Sequence, residues 1–157
     1  MRGSYLLVIY LDKDTKIKTK AREFCLKKGY YIYVGSAMNS LEKRVARHFK
    51  KEKRLHWHID FLLQKAQLLS AYLIPSRGRI EETLSQIVGG VFQGVEGFGA
   101  SDLSVKTNLY YSMHPPDETI CNILNSKGLS WKRVKSSREI MDWREENVEA
   151  VSYTHLT

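Results

Sequence analysis

The sequence has few cysteines, no long apolar run and no phosphate-binding glycine motif, and each absence narrows the function. Its two cysteines, Cys25 and Cys121, show no metal-ligand spacing and no disulfide framework, which favours a reducing cytoplasm. No apolar run approaches the roughly 18 residues of a membrane span, and no secretory signal precedes the first predicted strand. The glycine-rich segment 94–102 lacks G-x-x-x-x-G-K-[ST], which argues against a P-loop. We therefore expect a cytoplasmic protein with no membrane partner.

Acidic residues are also in the minority. The chain has 25 Lys and Arg residues against 17 Asp and Glu, for a net charge of +8 at pH 7. A surplus of this size favours nucleic acid or another anionic surface as the partner. The 157 residues, 43% of them hydrophobic, are enough for one globular domain with its own core.

Apolar patterning predicts alternating strands and helices. We expect strands at 4–11, 30–35, 67–74 and 107–112, with a short one near 16–19, and helices at 39–51, 57–66, 79–92, 115–126 and 138–150. This order indicates an α/β (α+β) fold, in which helices flank a small central sheet, mixed or antiparallel. We assign residues 1–135 to this domain and 136–150 to a C-terminal helix. The last residues, 151–157, have no amphipathic pattern and are predicted to be a non-native or disordered tail.

The most informative stretch is the strand, turn and basic helix at 29–48. Tyr33-Val34-Gly35 is expected to end the strand, and Ser36 and Asn39 or Ser40 are candidate caps for the helix. The helix carries Arg44 and His48 four residues apart, hence on one face. Such a turn places a tyrosine hydroxyl beside an arginine on a positively charged surface. This combination is typical of a site that cuts phosphodiesters, because the planar guanidinium donates two parallel hydrogen bonds to a phosphate.

The helix continues into a basic run, in which seven of the twelve residues 43–54 are Lys or Arg. Besides Arg44, these are predicted to contact nucleic-acid phosphates: Lys43, Arg47, Lys50, Lys51, Lys53 and Arg54. The alternative is an ordinary solvated helix face, partly balanced by Glu42 and Glu52.

These segments resemble the GIY-YIG nuclease superfamily. Tyr33-Val34-Gly35 with Leu41, Arg44 and His48 is similar to the second half of its signature, and Gly3-Ser4-Tyr5 to the first half. The sequence resembles one branch of this superfamily more closely still. That branch is a domain of unknown function found alone or fused to endonuclease III-type DNA repair glycosylases. The segments that carry this resemblance are GSYLLVIYL, GYYIYVGSA, RVARHF, HWHIDFLL, IEETLS and FGASD, spread over residues 3 to about 112.

The resemblance implies a DNA endonuclease that uses one divalent ion, Mg²⁺ or Mn²⁺. Tyr5 or Tyr33 would be the general base on the attacking water, or would orient that base, and Arg44 would stabilise charge on the phosphate. His48 would be a further member of the site. Glu81 would hold the metal, with Glu82 as the neighbouring alternative. The implied partners are duplex or branched DNA and an endonuclease III-type glycosylase, in DNA repair or processing.

The run His56-Trp57-His58-Ile59-Asp60 admits three interpretations. Both histidines can border the basic cleft and contact phosphate or the active-site tyrosine, while Asp60 orients one of them. In a strand, the two histidines and Asp60 would share one face and suit a zinc ion, whereas in a helix they diverge. A structural role for all three, with Trp57 in the core, is the third interpretation.

Two other functions compete with the nuclease. A non-catalytic DNA-binding module is consistent with the basic helix. It is also consistent with this chain's departures from the branch it resembles, which carries cysteines near Glu82, Leu103 and Val105 and a histidine near Asn108. A metal-dependent hydrolase of small phosphoesters would instead need a deep apolar pocket.

Overall fold

The chain folds around an antiparallel sheet that has helices on both faces. The structure, a computed structural model, describes residues 1–99 and 107–156, with side chains described as far as residue 146. Within these ranges it has eight strands and five helices. In chain order they are β1 (Gly3–Leu11), β2 (Thr15–Lys18), β3 (Glu23–Leu26), β4 (Gly29–Ala37), α1 (Leu41–Phe49), α2 (His58–Leu63), β5 (Gln67–Pro75), α3 (Glu81–Gly89), β6 (Gln93–Gly94), β7 (Leu109–Ser112), α4 (Asp117–Ser126), β8 (Lys132–Val134) and α5 (Ser137–Leu156).

Strand β1 lies at the centre of the main sheet, whose order is β6-β7-β4-β1-β5-β8, while β2 and β3 form a separate hairpin. β1 pairs with β4 on one side and β5 on the other, antiparallel in both cases. Successive side chains of a strand point to opposite faces. Tyr5, Leu7 and Ile9 therefore pack under α1, α2 and α5, whereas Leu6 and Val8 pack under α3 and α4. The predicted fold class is confirmed, with antiparallel pairing throughout the described sheet.

The long elements were predicted, as were the short strands β2 and β7, whereas three other short strands were missed. β3, β6 and β8 have two to four residues each, too few for a periodic pattern, and they form by pairing along a hairpin or a sheet edge. The prediction that the strand of Tyr33 ends at Gly35 was wrong, because β4 stays paired with β1 as far as Ala37. The predicted helix over 57–66 is shorter, at six residues.

At the C-terminus, α5 extends as far as Leu156. The side chains of 151–156, and the whole of Thr157, lie outside the described part, so the interpretation of 151–157 stays a prediction. Cys25 and Cys121 are both free thiols. In the described ranges, no helix combines the length and apolar character needed to cross a bilayer.

Candidate active site

The pairing of β1 with β4 brings two tyrosines together on the face covered by α1. Tyr5 lies opposite Gly35, and Tyr33 lies opposite Leu7, so the two rings are diagonal neighbours with centroids 6.4 Å apart. Gly35 is required for this arrangement, because a Cβ at that position would overlap the ring and hydroxyl of Tyr5. The tyrosines, 28 residues apart in the chain, thus meet where β1 begins and β4 ends.

Helix α1 places His48 against this pair. The helix begins after Ser40, whose hydroxyl accepts a hydrogen bond from the backbone N–H of Lys43, and it buries Leu41 and Val45. His48, one turn beyond Arg44, is 2% exposed, and its Nε2 lies 2.8 Å from the hydroxyl oxygen of Tyr5. His48, expected only as a further member of the site, is therefore the histidine that contacts a tyrosine.

Burial decides the charge state of this pair. It lowers the pKa of His48 to about 3, with a further contribution from the charge of Lys53, so the imidazole is neutral at pH 7. Within the described residues, Nδ1 of His48 has no hydrogen-bond partner. Burial likewise raises the pKa of Tyr5 well above its ordinary value, and the neighbouring Tyr33 raises it further. The pair is thus two neutral groups that share one hydrogen bond.

Arg44 is held between a backbone carbonyl and an aromatic ring. Its Nη1 donates to the carbonyl oxygen of Ser36 at 3.1 Å, and its guanidinium carbon lies 4.8 Å from the ring centroid of Trp57. Both contacts fix the orientation of the guanidinium while leaving N–H groups for a ligand. Burial raises the pKa of both Tyr5 and Tyr33, and the positive charge of Arg44 opposes part of that rise.

Glu81 approaches the same point from the N-terminus of α3. Its carboxylate lies close enough to the side chain of Ser36 for that side chain to lower its pKa, and the carbonyl of Ser36 accepts from Arg44. Burial raises the pKa of Glu81, and the Ser36 side chain together with Arg79 and Arg44 opposes that rise. The pKa of Tyr33 is raised by burial first and by the Glu81 charge second. Ser36 therefore lies between the candidate metal ligand and the candidate phosphate ligand. From the sequence, this residue was predicted only as a candidate helix cap.

The residues His56 to Asp60 do not form a metal site. Asp60 is fully buried, and its carboxylate accepts from Nη1 of Arg47 at 2.8 Å and from the backbone N–H groups of His56 and Trp57. Burial alone would raise the pKa of Asp60, but these donors hold it below its usual value. In the described ranges, no group of three or more His, Cys, Asp or Glu side chains suits a metal. The zinc interpretation was wrong, because the carboxylate is used to tie α2 to α1.

The two histidines of this run lie apart from each other. His58 accepts a hydrogen bond at Nδ1 from the backbone N–H of Gly99, and its ring packs against Phe24 and Phe98. Phe98 also contacts Tyr33, so His58 borders the tyrosines through one intervening ring. His56 is exposed and packs edge-on against Trp57. Trp57 was predicted to be a core residue, and this was wrong, since 36% of it is exposed.

The basic run divides into free and engaged side chains. Arg47 is bound to Asp60 and to the carbonyl of Arg54, and Lys53 donates to the last carbonyls of α1, those of Arg47 and His48. These two cations therefore stabilise the helix end and its contact with α2. The exposed cations of the run are Lys43, Lys50, Lys51 and Arg54. The sequence pattern alone could not separate the two groups, because all seven cations lie within twelve residues.

One protein-family model matches most of the chain. The family model described as "Domain of unknown function DUF123" matches residues 4–129, from the first strand to just beyond α4. The chain belongs to this family. No curated protein and no solved structure matches the chain significantly.

Proposed function

We propose that this protein is a DNA endonuclease of the GIY-YIG type, which hydrolyses a phosphodiester bond with the help of one divalent metal ion. The observation that carries the proposal is the meeting of four side chains from four elements at one end of the central strands: Tyr5 of β1, Tyr33 of β4, Arg44 of α1 and Glu81 of α3. Each of them has a defined role in phosphodiester hydrolysis.

Arg44 is assigned to the phosphate. Its guanidinium is already oriented by Ser36 and Trp57, so little side-chain freedom is lost when it binds an anion. As charge develops on the phosphoryl oxygens, a fixed guanidinium stabilises it without reorganisation.

Tyr33 is assigned to the attacking water, and Tyr5 to positioning. Tyr33 is half-buried, and its hydroxyl makes no hydrogen bond within the described residues, so a water molecule can reach it. Tyr5 is 2% exposed and its hydroxyl is occupied by His48. Because the negative charge of Glu81 raises the pKa of Tyr33, neutralising that carboxylate would lower the pKa and improve the base.

Glu81 is the residue that would hold the metal, and its surroundings fit a weakly chelated ion. A half-buried carboxylate with a raised pKa gains from a nearby cation, and Mg²⁺ in proteins often has one or two carboxylates plus substrate phosphates and water. When bound, such an ion polarises the phosphate and stabilises the leaving oxygen. With one protein carboxylate, we expect the metal to bind tightly only together with DNA.

DNA is the proposed partner, in keeping with the exposed cations Lys43, Lys50, Lys51 and Arg54 beside the site. The setting that we propose is DNA repair or processing in the cytoplasm, with an endonuclease III-type glycosylase as a further partner. The competing function is a DNA-binding module without catalysis. It is favoured by the raised pKa of both tyrosines, which makes either a poor base until a cation binds.

Cleavage of labelled plasmid and of branched and single-stranded oligonucleotides, with Mg²⁺, Mn²⁺ or EDTA, separates the two functions. We expect metal-dependent nicking that R44A reduces by about a hundredfold or more, with most DNA affinity retained because other cations remain. The Arg54→Ala variant is the matched control, since it removes one exposed cation of the same run and should lower affinity slightly at every salt concentration. Tight, salt-sensitive binding without cutting under any metal would replace the nuclease with the binding module.

A further inference from the structure

Two serines face each other across β1 and β4, at the end of these strands where the candidate site lies. Ser4 is directly opposite Ser36 in the antiparallel register, which places their Cβ atoms about 4.5–5.5 Å apart. Serine and threonine side chains paired in this way across two strands can form a hydrogen bond between their hydroxyls. None of the roles proposed for the nuclease uses Ser4.

The hydroxyl of Ser4 is buried and unpaired. Ser4 is 1% exposed, and its Oγ has no hydrogen-bond partner within the described residues. Leaving a buried hydroxyl without a partner lowers the stability of the folded protein, and for this reason most such groups are paired. A small apolar side chain would avoid this loss at the same position. The hydroxyl of Ser4 therefore points to a partner that it gains when the site binds a ligand.

The sheet face on which the serines lie connects them to Glu81. Side chains alternate along a strand, so Ser4 points to the same face as Leu6, and Ser36 shares that face because it lies directly opposite. Helix α3 covers this face and begins at Glu81. The Ser36 side chain lies beside the Glu81 carboxylate, close enough to lower its pKa. The three oxygen-bearing side chains thus follow one another in the order Ser4, Ser36, Glu81.

A cation site with few protein ligands depends strongly on how each ligand is oriented. In the described ranges, no group of three or more His, Cys, Asp or Glu side chains could hold a metal, so Glu81 is the single carboxylate assigned to the ion. A side chain that is already fixed in its binding orientation loses less rotational freedom when the ligand binds. Hydroxyl groups that donate to a carboxylate provide this fixation, as the outer partners of metal ligands commonly do.

We infer that Ser4 and Ser36, here called the serine pair, are positioning residues for the divalent cation at Glu81. In the metal-bound state, the hydroxyl of Ser4 donates to Oγ of Ser36, and the hydroxyl of Ser36 donates to the Glu81 carboxylate. Removing an outer partner of this kind typically lowers metal affinity by roughly 10- to 100-fold. The inference rests on the metal-binding role proposed for Glu81, and it assigns a function to the unpaired hydroxyl of Ser4.

The first test measures metal binding without reference to cleavage. Mn²⁺ is the probe, because its paramagnetic broadening of amide NMR signals around Glu81 reports even weak binding. We expect S4A and S36A each to weaken the apparent Mn²⁺ affinity about tenfold, whereas Ser36→Thr, which keeps the hydroxyl, should retain it. Wild-type affinity in both alanine variants would overturn the inference.

The matched control for S4A is S70A. Ser70 is fully buried, and its hydroxyl likewise has no partner within the described residues. It lies opposite Val8 on β1, so it faces an apolar residue where Ser4 faces a second serine. We expect S70A to bind Mn²⁺ like the wild type. An equal loss of affinity in S70A would show that the effect of S4A is not specific to the serine pair, and would overturn the inference.

The second test asks whether the hydroxyl of Ser4 only supports the fold. In EDTA, S4A should melt at no lower temperature than the wild type, because the hydroxyl that it removes is unpaired. Saturating Mn²⁺ should raise the melting temperature of the wild type and raise that of S4A less. If S4A melts lower in EDTA and gains as much from Mn²⁺ as the wild type, the hydroxyl is structural and the inference is wrong.

Glu81→Gln separates a failure of this inference from a failure of the nuclease proposal. If E81Q abolishes both Mn²⁺ binding and cleavage while S4A and S36A behave like the wild type, the nuclease stands and the role of the serine pair is removed. Mn²⁺ binding around Glu81 that requires both serines supports the inference even if no DNA is cut. Absence of broadening around Glu81 in the wild type would remove the serine pair's role together with the metal-binding role of Glu81.

Discussion

The two tyrosines of the candidate site are paired differently from two tyrosines on the opposite face of the sheet. On the face covered by α3 and α4, Tyr72 donates a hydrogen bond to Asp117 at 2.5 Å, and Tyr110 donates to the carbonyl of Ser85 at 2.8 Å. On the face covered by α1 and α2, Tyr5 meets the neutral His48, and the hydroxyl of Tyr33 has no partner among the described residues.

This difference separates structural hydroxyls from available ones. A buried hydroxyl that contributes to stability is normally paired with a strong acceptor, because leaving it unpaired costs about 1–3 kcal/mol. The first face obeys this rule at both tyrosines. At the candidate site, Nδ1 of the buried His48 has no partner among the described residues, and the half-buried Tyr33 hydroxyl makes no hydrogen bond to them. Such a departure is expected where a ligand completes the hydrogen bonds.

The largest expected effect is a double dissociation between tyrosines of the two faces. Tyr33→Phe should lower the rate of DNA cleavage about 10²- to 10⁴-fold, since it removes the proton acceptor, and should leave thermal stability nearly unchanged. Tyr72→Phe should do the reverse, with a loss of about 1–3 kcal/mol in the free energy of unfolding and normal cleavage per folded molecule. Single-turnover cleavage and urea unfolding measure the two quantities. A Y33F protein that still cuts at the wild-type rate would remove Tyr33 from the mechanism.

The second prediction concerns the pH dependence of stability, which the site face should dominate. The pKa of His48 is lowered from its ordinary 6.5 to about 3 in the folded protein, so between these values the unfolded chain binds a proton that the folded chain does not. Stability is therefore retained above pH 6.5 and falls as the pH drops below it, by about 1.4 kcal/mol per pH unit for one such group.

Urea unfolding at pH 4.5 to 7 measures this slope. His48→Gln should flatten it, whereas H114Q, at an exposed histidine after β7, serves as the control and should leave it unchanged. An unaltered slope in the His48 variant would mean that this imidazole is not buried in its neutral form.

The third prediction compares the glycines that support a tyrosine on each face. A Cβ at Gly35 would overlap the Tyr5 ring, whereas a Cβ at Gly89 would meet Tyr110 at 3.0 Å, a contact relieved by a small shift. Gly35→Ala should therefore cost about 1–3 kcal/mol of unfolding free energy and displace Tyr5 from His48. Gly89→Ala should be much milder. Thermal melts, with NMR shifts of the Tyr5 ring, test this, and equal effects would contradict the close packing at Gly35.

The smallest expected effect is at the tryptophans. Trp57→Ala removes the ring over Arg44 and should slow cleavage about two- to fivefold, in line with the roughly 0.5–1 kcal/mol of an exposed cation–π contact. Trp131 packs on Tyr72 on the face covered by α3 and α4. W131A should therefore reduce stability without changing the cleavage rate. Rates measured at saturating DNA distinguish the two, and a W57A enzyme with a normal rate would show that Ser36 alone orients Arg44.

The fold was largely predictable because its long elements carry their own patterns. β1 and β4 are rich in β-branched and aromatic residues, and α1 has a capping serine with apolar residues at helical spacing. β8, by contrast, consists of Lys132, Arg133 and Val134, a segment with no strand pattern that pairs because β5 presents a free edge. Such elements depend on tertiary context, which local sequence does not contain.

The sequence suggested which residues belong to the candidate site, but not how each of them is buried and paired. The resemblance to a family suggested that Tyr5, Tyr33, Arg44 and Glu81 belong together, yet only the register of β1 against β4 places the rings 6.4 Å apart. Burial of His48 follows from how α1 packs on the sheet. The ion pair of Arg47 with Asp60 depends on the angle between α1 and α2, so the sequence could not show that this arginine is already occupied.

The central place of β1 also affects how the chain reaches its native state. β1 precedes both strands that flank it, and its partners begin 26 and 64 residues after Gly3, at Gly29 and Gln67. During synthesis, the most apolar strand of the sheet therefore emerges with two open edges, and one of them stays open until β5 follows. We expect ribosome-bound chains that end before Pro75, and so lack the complete β5, to aggregate or recruit chaperones. β1, which carries Tyr5, is thus synthesised before the other elements of the site. Its second edge is covered only after β5 has been made.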